Sequence, residues 1–190
     1  MGLSAAIDVR KRRTKKSEGY ENVSLAAPPE FTMTYRIVSL DPLAFRPLFL
    51  LADDELKERR IERSFADSST GTPCRVSLED AHEAEEVLLL PFAHHAADSP
   101  YAASGPIFVR RKAVERDDVV RFTDRVPPVL EWRLLSVRAY DATAHMIDAE
   151  VCEGVELDGQ IRRTFGDTKV AYLQVHHARP GCFAARVERD

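Results

Sequence analysis

The chain has 190 residues, with 27 Lys+Arg against 31 Asp+Glu, a formal net charge of −4, three Cys and one Trp. That balance excludes a globally basic nucleic-acid binder. With 44% hydrophobic and 31% charged residues the chain can build a core, which excludes full disorder.

Residues 1–32 read differently from the rest. Arg10 to Lys16 is basic at six of seven positions, without apolar periodicity around it, and Pro28-Pro29 reads as a stiff linker. No apolar h-region follows the basic run, so the pattern of a secretory signal is missing. The expectation is a disordered basic tail, or a start assigned too far upstream, ahead of one domain over residues 33–190. The tail carries 6 basic and 4 acidic residues, and the body carries 21 and 27. Nucleic acid is expected as a partner only weakly, through Arg10–Lys16. No membrane partner is expected, because the longest apolar stretch, Leu43 to Ala52, is broken by Arg46 and Pro47 and falls short of the roughly 20 residues a spanning helix needs.

In the body, Tyr35–Val38 is the first strand-like segment. Asp53 is a candidate N-cap for a helix over Asp54–Arg60, with acids in its first turn and cations in its last. Ser77 with Asp80 resembles a capping box opening a helix over Leu78–Glu85. Val87–Leu90 is a continuous apolar run, which predicts a strand buried on both faces and ended by Pro91. Ile107-Phe108-Val109 is the next strand. Pro127-Pro128 opens a short helix through Trp132. Leu157, Ile161 and Phe165 form a helical stripe closed by Gly166.

The last third alternates strand by strand. Leu135, Val137 and Ala139 oppose Ser136, Arg138 and Tyr140. Ile147, Ala149 and Val151 oppose Asp148 and Glu150. Ala171, Leu173 and Val175 oppose Tyr172, Gln174 and His176. Phe183, Ala185 and Val187 oppose Cys182, Ala184 and Arg186. The last two strands flank Ala178-Arg179-Pro180-Gly181, which predicts a hairpin. Pairing His177 with Cys182 would put Phe183 opposite His176 and misalign the apolar residues. Pairing His176 with Cys182 aligns them and makes these two cross-strand neighbours. A three-residue loop, Arg179 to Gly181, has the same parity and sets Ala184 opposite His176. The fold class expected is α+β, a single domain with a largely antiparallel β-sheet and short helices packed on one side. Three cysteines, an odd count, make no disulfide framework and suit a reducing compartment, the cytoplasm.

Five ordered segments are together distinctive: Phe45-Arg46-Pro47-Leu48-Phe49, Pro73 to Ala81, Ser104 to Arg110, Leu135 to Asp141 and Ala178 to Cys182. Through them the body resembles the bacterial family catalogued as domain of unknown function 1203. The basic tail departs from that family's pattern, which begins near Met33. The resemblance implies His94 and His176 as matching positions, with Asn common where His177 stands and Gln where His95 stands. It implies no activity or cofactor.

Two chemistries are compatible with the polar face of the last strands. One is binding of a small anionic ligand by Arg75, Arg138 and Arg179, with Tyr172 and His94 adding hydrogen bonds. The other is Cys-dependent catalysis of hydrolase or transferase type, with Cys182 as nucleophile, His176 as base and Asp148 or Glu150 orienting the imidazole. A solvated outer sheet face would show the same alternation, and cover from Leu78–His95 would distinguish a pocket from it. No metal is assigned, because neighbouring His residues point to opposite faces of a strand and the chain has no H-E-x-x-H or C-x-x-C. No cofactor is assigned either, since phosphate loops and dinucleotide fingerprints are missing from the sequence. Oligomeric state is not set by the sequence.

Overall fold

The computed structural model describes residues 33–190, so Arg10–Lys16 and the tail assigned to 1–32 lie outside the described residues. In chain order the strands and α-helices are β1 (Tyr35–Val38), α1 (Asp53–Glu58), β2 (Glu62–Phe65), β3 (Glu86–His95), β4 (Ala103–Arg110), β5 (Arg121–Thr123), α2 (Pro128–Glu131), β6 (Leu134–Tyr140), β7 (Met146–Glu153), α3 (Leu157–Phe165), β8 (Tyr172–His177) and β9 (Phe183–Arg189). They make a six-stranded sheet of order β5-β1-β9-β8-β6-β7 and a three-stranded sheet β2-β3-β4. All these strand pairings are antiparallel. The fold is α+β, as expected, with no helix long and apolar enough to cross a membrane among the described residues.

The two larger apolar clusters follow from this layering. In one, Leu157, Ile161 and Phe165 of α3 pack on Ile37, Leu135, Val137, Leu173, Val175 and Val187 of the larger sheet. The predicted helical stripe and the alternation of β6 and β8 are therefore what builds this core. In the other, Phe45, Phe49 and Leu56 pack on Leu88, Leu90, Ile107 and Val109 of the smaller sheet.

Four local expectations are corrected. Helix α1 starts at Asp53 itself. There Glu55 accepts a hydrogen bond from the Ala52 N–H at 3.0 Å, and three acids occupy the first turn. The helix over Leu78–Glu85 does not form. Ser77 Oγ accepts from Arg110, and Asp80 takes both of its oxygens to Arg133, so neither side chain is free to cap. The segment instead folds into turns with Leu78 at φ 53° and Ala84 at φ 61°.

Strand β3 continues through Pro91 to His95, where Pro91 faces Pro106. Neither proline can donate, so the pair sits where no ladder hydrogen bond is exchanged. β2 pairs no further than Leu89, so the side of β3 toward which a donor at 91 would point is already vacated. In β7 the apolar set is turned outward. Val151 shares a face with Ser136 and Ala149 with Arg138, leaving Val151 59% exposed. β7 is the edge strand, and only Cys152 of it is buried.

The β8–β9 hairpin contains the feature that shapes the site. Along Tyr172–Val175 the register is the one that the three-residue loop requires, with Val175 opposite Ala185 and Gln174 opposite Arg186. Next to the turn the pairing shifts, placing Phe183 opposite His176, while the His177 N–H donates to the Cys182 carbonyl at 2.9 Å. Ala184 is the extra residue of a β-bulge. The bulge lets two registers of opposite parity coexist in one hairpin. It also means that His176 and Cys182 are not cross-strand neighbours.

Candidate functional site

Consecutive residues of β8 serve two different environments. Tyr172, Gln174 and His176 face the end of β3, which lies over them. Gln174 donates to the His94 carbonyl at 2.8 Å and its Oε1 lies 3.1 Å from His94 Nδ1 and 3.2 Å from His176 Nε2. His176 Nδ1 is 3.1 Å from the Gly181 carbonyl. Phe183, rotated onto this side by the bulge, stacks on His94 at 5.3 Å and meets His176 edge-on at 5.8 Å. His95 bridges the Tyr101 carbonyl at 2.8 Å and the Tyr172 hydroxyl at 2.7 Å. Tyr172 stacks on Tyr140 at 5.2 Å, and the Arg186 guanidinium lies 3.8 Å over its ring.

Burial, followed by the positive charge of Arg138, pushes the His176 pKa down to about 4, so the ring is neutral near pH 7. Burial also lowers that of His94. Four of the expected site residues, Arg138, Tyr172, His94 and His176, thus share one face, and that face is covered. Asp148 and Glu150 stand on the other face, beside Ala139 and Val137, and do not orient His176.

His177 points the other way, beside Leu135. There a cavity of about 570 Å³ opens at the turn end of the hairpin, bringing together Arg75, His177, Arg179 and Cys182 with Arg133. Trp132, Phe108 and Pro73 provide apolar wall, and Glu153 is the one carboxylate among the described lining residues. Had the inner register continued without the bulge, Phe183 would stand opposite His177. The bulge moves that ring away and leaves the space open.

The walls are fixed by backbone. Gly181, at φ 76°, closes the turn by donating to the His177 carbonyl at 2.8 Å. Arg75 is held by its N–H on the Phe108 carbonyl at 3.1 Å. Its Nε donates to the Phe183 carbonyl at 2.7 Å and its Nη1 to the Pro73 carbonyl. The Trp132–Leu134 wall meets the end of β7 at Gly154, where a Cβ would lie 1.9 Å from the Leu130 carbonyl oxygen.

The charges in the cavity are unevenly matched. Arg133 is neutralised by Asp80 at 2.8 and 2.9 Å and lies 3.8 Å over the Trp132 ring. Arg75 is only 3% exposed, and no described carboxylate lies within ion-pair distance of it. Burial brings its pKa down to about 10. His177 is 6% exposed and, among the described residues, neither of its ring nitrogens has a hydrogen-bond partner. Burial, then the charges of Arg75 and Arg133, hold its pKa at about 3. Cys182 is half-buried, with Sγ 3.8 Å from the Pro180 carbonyl, while Cys74 and Cys152 are buried free thiols.

An uncompensated guanidinium beside a neutral ring with two unused nitrogens can receive an acceptor-rich anion. Of the expected site residues, Arg75, Arg179 and Cys182 come together here. Sequence reasoning missed His177, Arg133 and Trp132. The only available signal was that His177 must face opposite to His176. No group of three or more His, Cys, Asp or Glu side chains suited to a metal ion occurs among the described residues.

The family described as protein of unknown function (DUF1203) matches residues 71–189, which include every strand from β3 to β9. No curated protein and no solved structure matches the chain.

Proposed function

The chain belongs to the DUF1203 family of proteins of unknown function, and from its geometry we propose that it binds a small anionic ligand in the Arg75–His177 cavity. The observation that supports this best is the pairing of a buried, carboxylate-free Arg75 with a buried His177 whose nitrogens are unpartnered. A buried charge without a counterion and a buried polar ring without a partner both cost free energy, of order 1–3 kcal/mol for the ring alone. A carboxylate placed between them relieves both at once, one oxygen on the guanidinium and the other on the imidazole N–H. Arg179, exposed on the turn, adds positive charge at the mouth. The cavity volume is several times that of an inorganic ion and falls in the range of organic-ligand sites, about 300–1,000 Å³. With Trp132, Phe108 and Pro73 in its wall, it suits a carboxylate with an apolar body.

Three free thiols suit a reducing compartment such as the cytoplasm. Every residue assigned to the site lies within residues 33–190.

Calorimetric titration with benzoate, and with benzamide as its uncharged counterpart, tests this reading. Benzoate is expected to bind and benzamide not. Arg75→Met is expected to weaken benzoate by about 10–100-fold, the worth of a charge-assisted pair at a desolvated site. Equal binding of the two compounds, or of neither, defeats the proposal.

A further inference from the structure

Beyond ligand binding, we propose that Cys182 is the reactive group of this cavity, its sulfur attacking an electrophilic carbon that sits next to the carboxylate of the bound ligand. The inference rests on the cavity taking an anion. Three observations carry it. Cys182 lines the cavity and is half-buried, whereas Cys74 and Cys152 are buried. Among the described residues its Sγ makes a single long hydrogen-bond contact, 3.8 Å to the Pro180 carbonyl, so it is not tied down. His177 lies in the same wall, more than nine-tenths buried with both ring nitrogens unpartnered among the described residues, and its backbone N–H donates to the Cys182 carbonyl at 2.9 Å.

A carboxylate spanning Arg75 and His177 therefore has its neighbouring carbon beside the Cys182 side chain. His177 serves as hydrogen-bond donor to the carboxylate and not as the base, because Arg75 and Arg133 oppose a proton on its ring. The thiol proton leaves to solvent. With an α-halo acid the sulfur lone pair forms the new C–S bond as the C–halogen bond breaks, and the halide leaves with the bonding pair. The step needs neither an oxidant nor a reductant. The substrate class is thus a small carboxylate with a leaving group at the adjacent carbon.

The test compares alkylation of the full chain by iodoacetate and by iodoacetamide near neutral pH and at low ionic strength. Cys182 is followed by peptide mass mapping, with glutathione as the unbiased thiol. The iodoacetate-to-iodoacetamide rate ratio at Cys182 is expected to exceed that of glutathione by about tenfold, and added benzoate to slow both reagents. Arg75→Met is expected to return the ratio to that of glutathione. Should that variant fail to fold, Arg179→Gln, on the exposed turn, is expected to lower the ratio without touching the core. A ratio equal to that of glutathione overturns the inference. If benzoate still binds in that case, only the role of Cys182 is lost. If benzoate does not bind either, the anion site falls with it.

Discussion

His176 and His177 follow one another along β8 and face opposite sides of the sheet. On the side of His176, β3 and Phe183 close over the ring, and Gln174 and Gly181 stand at hydrogen-bond distance from its nitrogens. On the side of His177 the ring is as deeply enclosed, yet among the described residues neither nitrogen has a partner, and the charges of two guanidinium groups act against its protonation. The same residue type at adjacent positions thus builds a cross-linked interior on one face and an unsatisfied cavity on the other. The difference teaches that burial of a polar side chain does not mark a site. What marks it is burial without compensation.

Acid pH should strain both faces together, and this is the largest effect expected. Both rings have folded-state pKa values below the ordinary 6.5, at about 4 for His176 and about 3 for His177. Between those values and 6.5 the unfolded chain binds more protons than the folded one. Stability is therefore complete above pH 6.5 and lost as pH falls through the window. The slope is roughly 1.4 kcal/mol per pH unit for each ring. Urea unfolding at several pH values measures it, and a flat profile between pH 6.5 and 4 would contradict the burial assigned to both histidines.

Two substitutions separate the faces. Gln174→Leu leaves the His94 carbonyl and the ring nitrogens of His94 and His176 without their shared partner. It should cost about 3 kcal/mol while leaving benzoate affinity unchanged. His177→Leu removes an unpartnered ring, so it should be neutral or stabilising by about 1 kcal/mol. It should also abolish benzoate binding and remove one ring's share of the pH slope. Chemical denaturation together with calorimetry reads both variants. A His177→Leu protein destabilised as much as Gln174→Leu would erase the distinction between the faces.

The smallest effect is expected outside both. Val151→Lys on the exposed edge strand should change stability by less than about 0.5 kcal/mol. A lysine there also guards an open strand edge, so the variant should be at least as soluble as the parent chain.

How far the site was legible can be traced residue by residue. Arg75, Arg179 and Cys182 were visible as candidate anion-binding or nucleophilic groups, because their chemistry is intrinsic to the residue type. Their company was not. The register that pairs His176 with Cys182 holds no bulge, and a bulge at Ala184 shifts the neighbours on its turn side by one position. Ser77 and Asp80 show the same limit. Their spacing matches a cap, yet Arg110 and Arg133, distant in sequence, occupy them.

What the sequence determined by itself is local periodicity: the apolar faces of β6 and β8, the stripe of α3 and the antiparallel α+β class. A period of 2 or 3.6 residues is a property of neighbouring positions and needs no tertiary context. Only the tertiary structure decided which polar face would be covered, that β7 would lie uncovered at the edge, and that Phe183 would turn toward His94 and not toward His177. Each of these depends on contacts between segments far apart in the chain. A one-residue bulge is held by tertiary contacts, here Phe183 against His94 and Arg75 on the Phe183 carbonyl, and that same displacement keeps the cavity open.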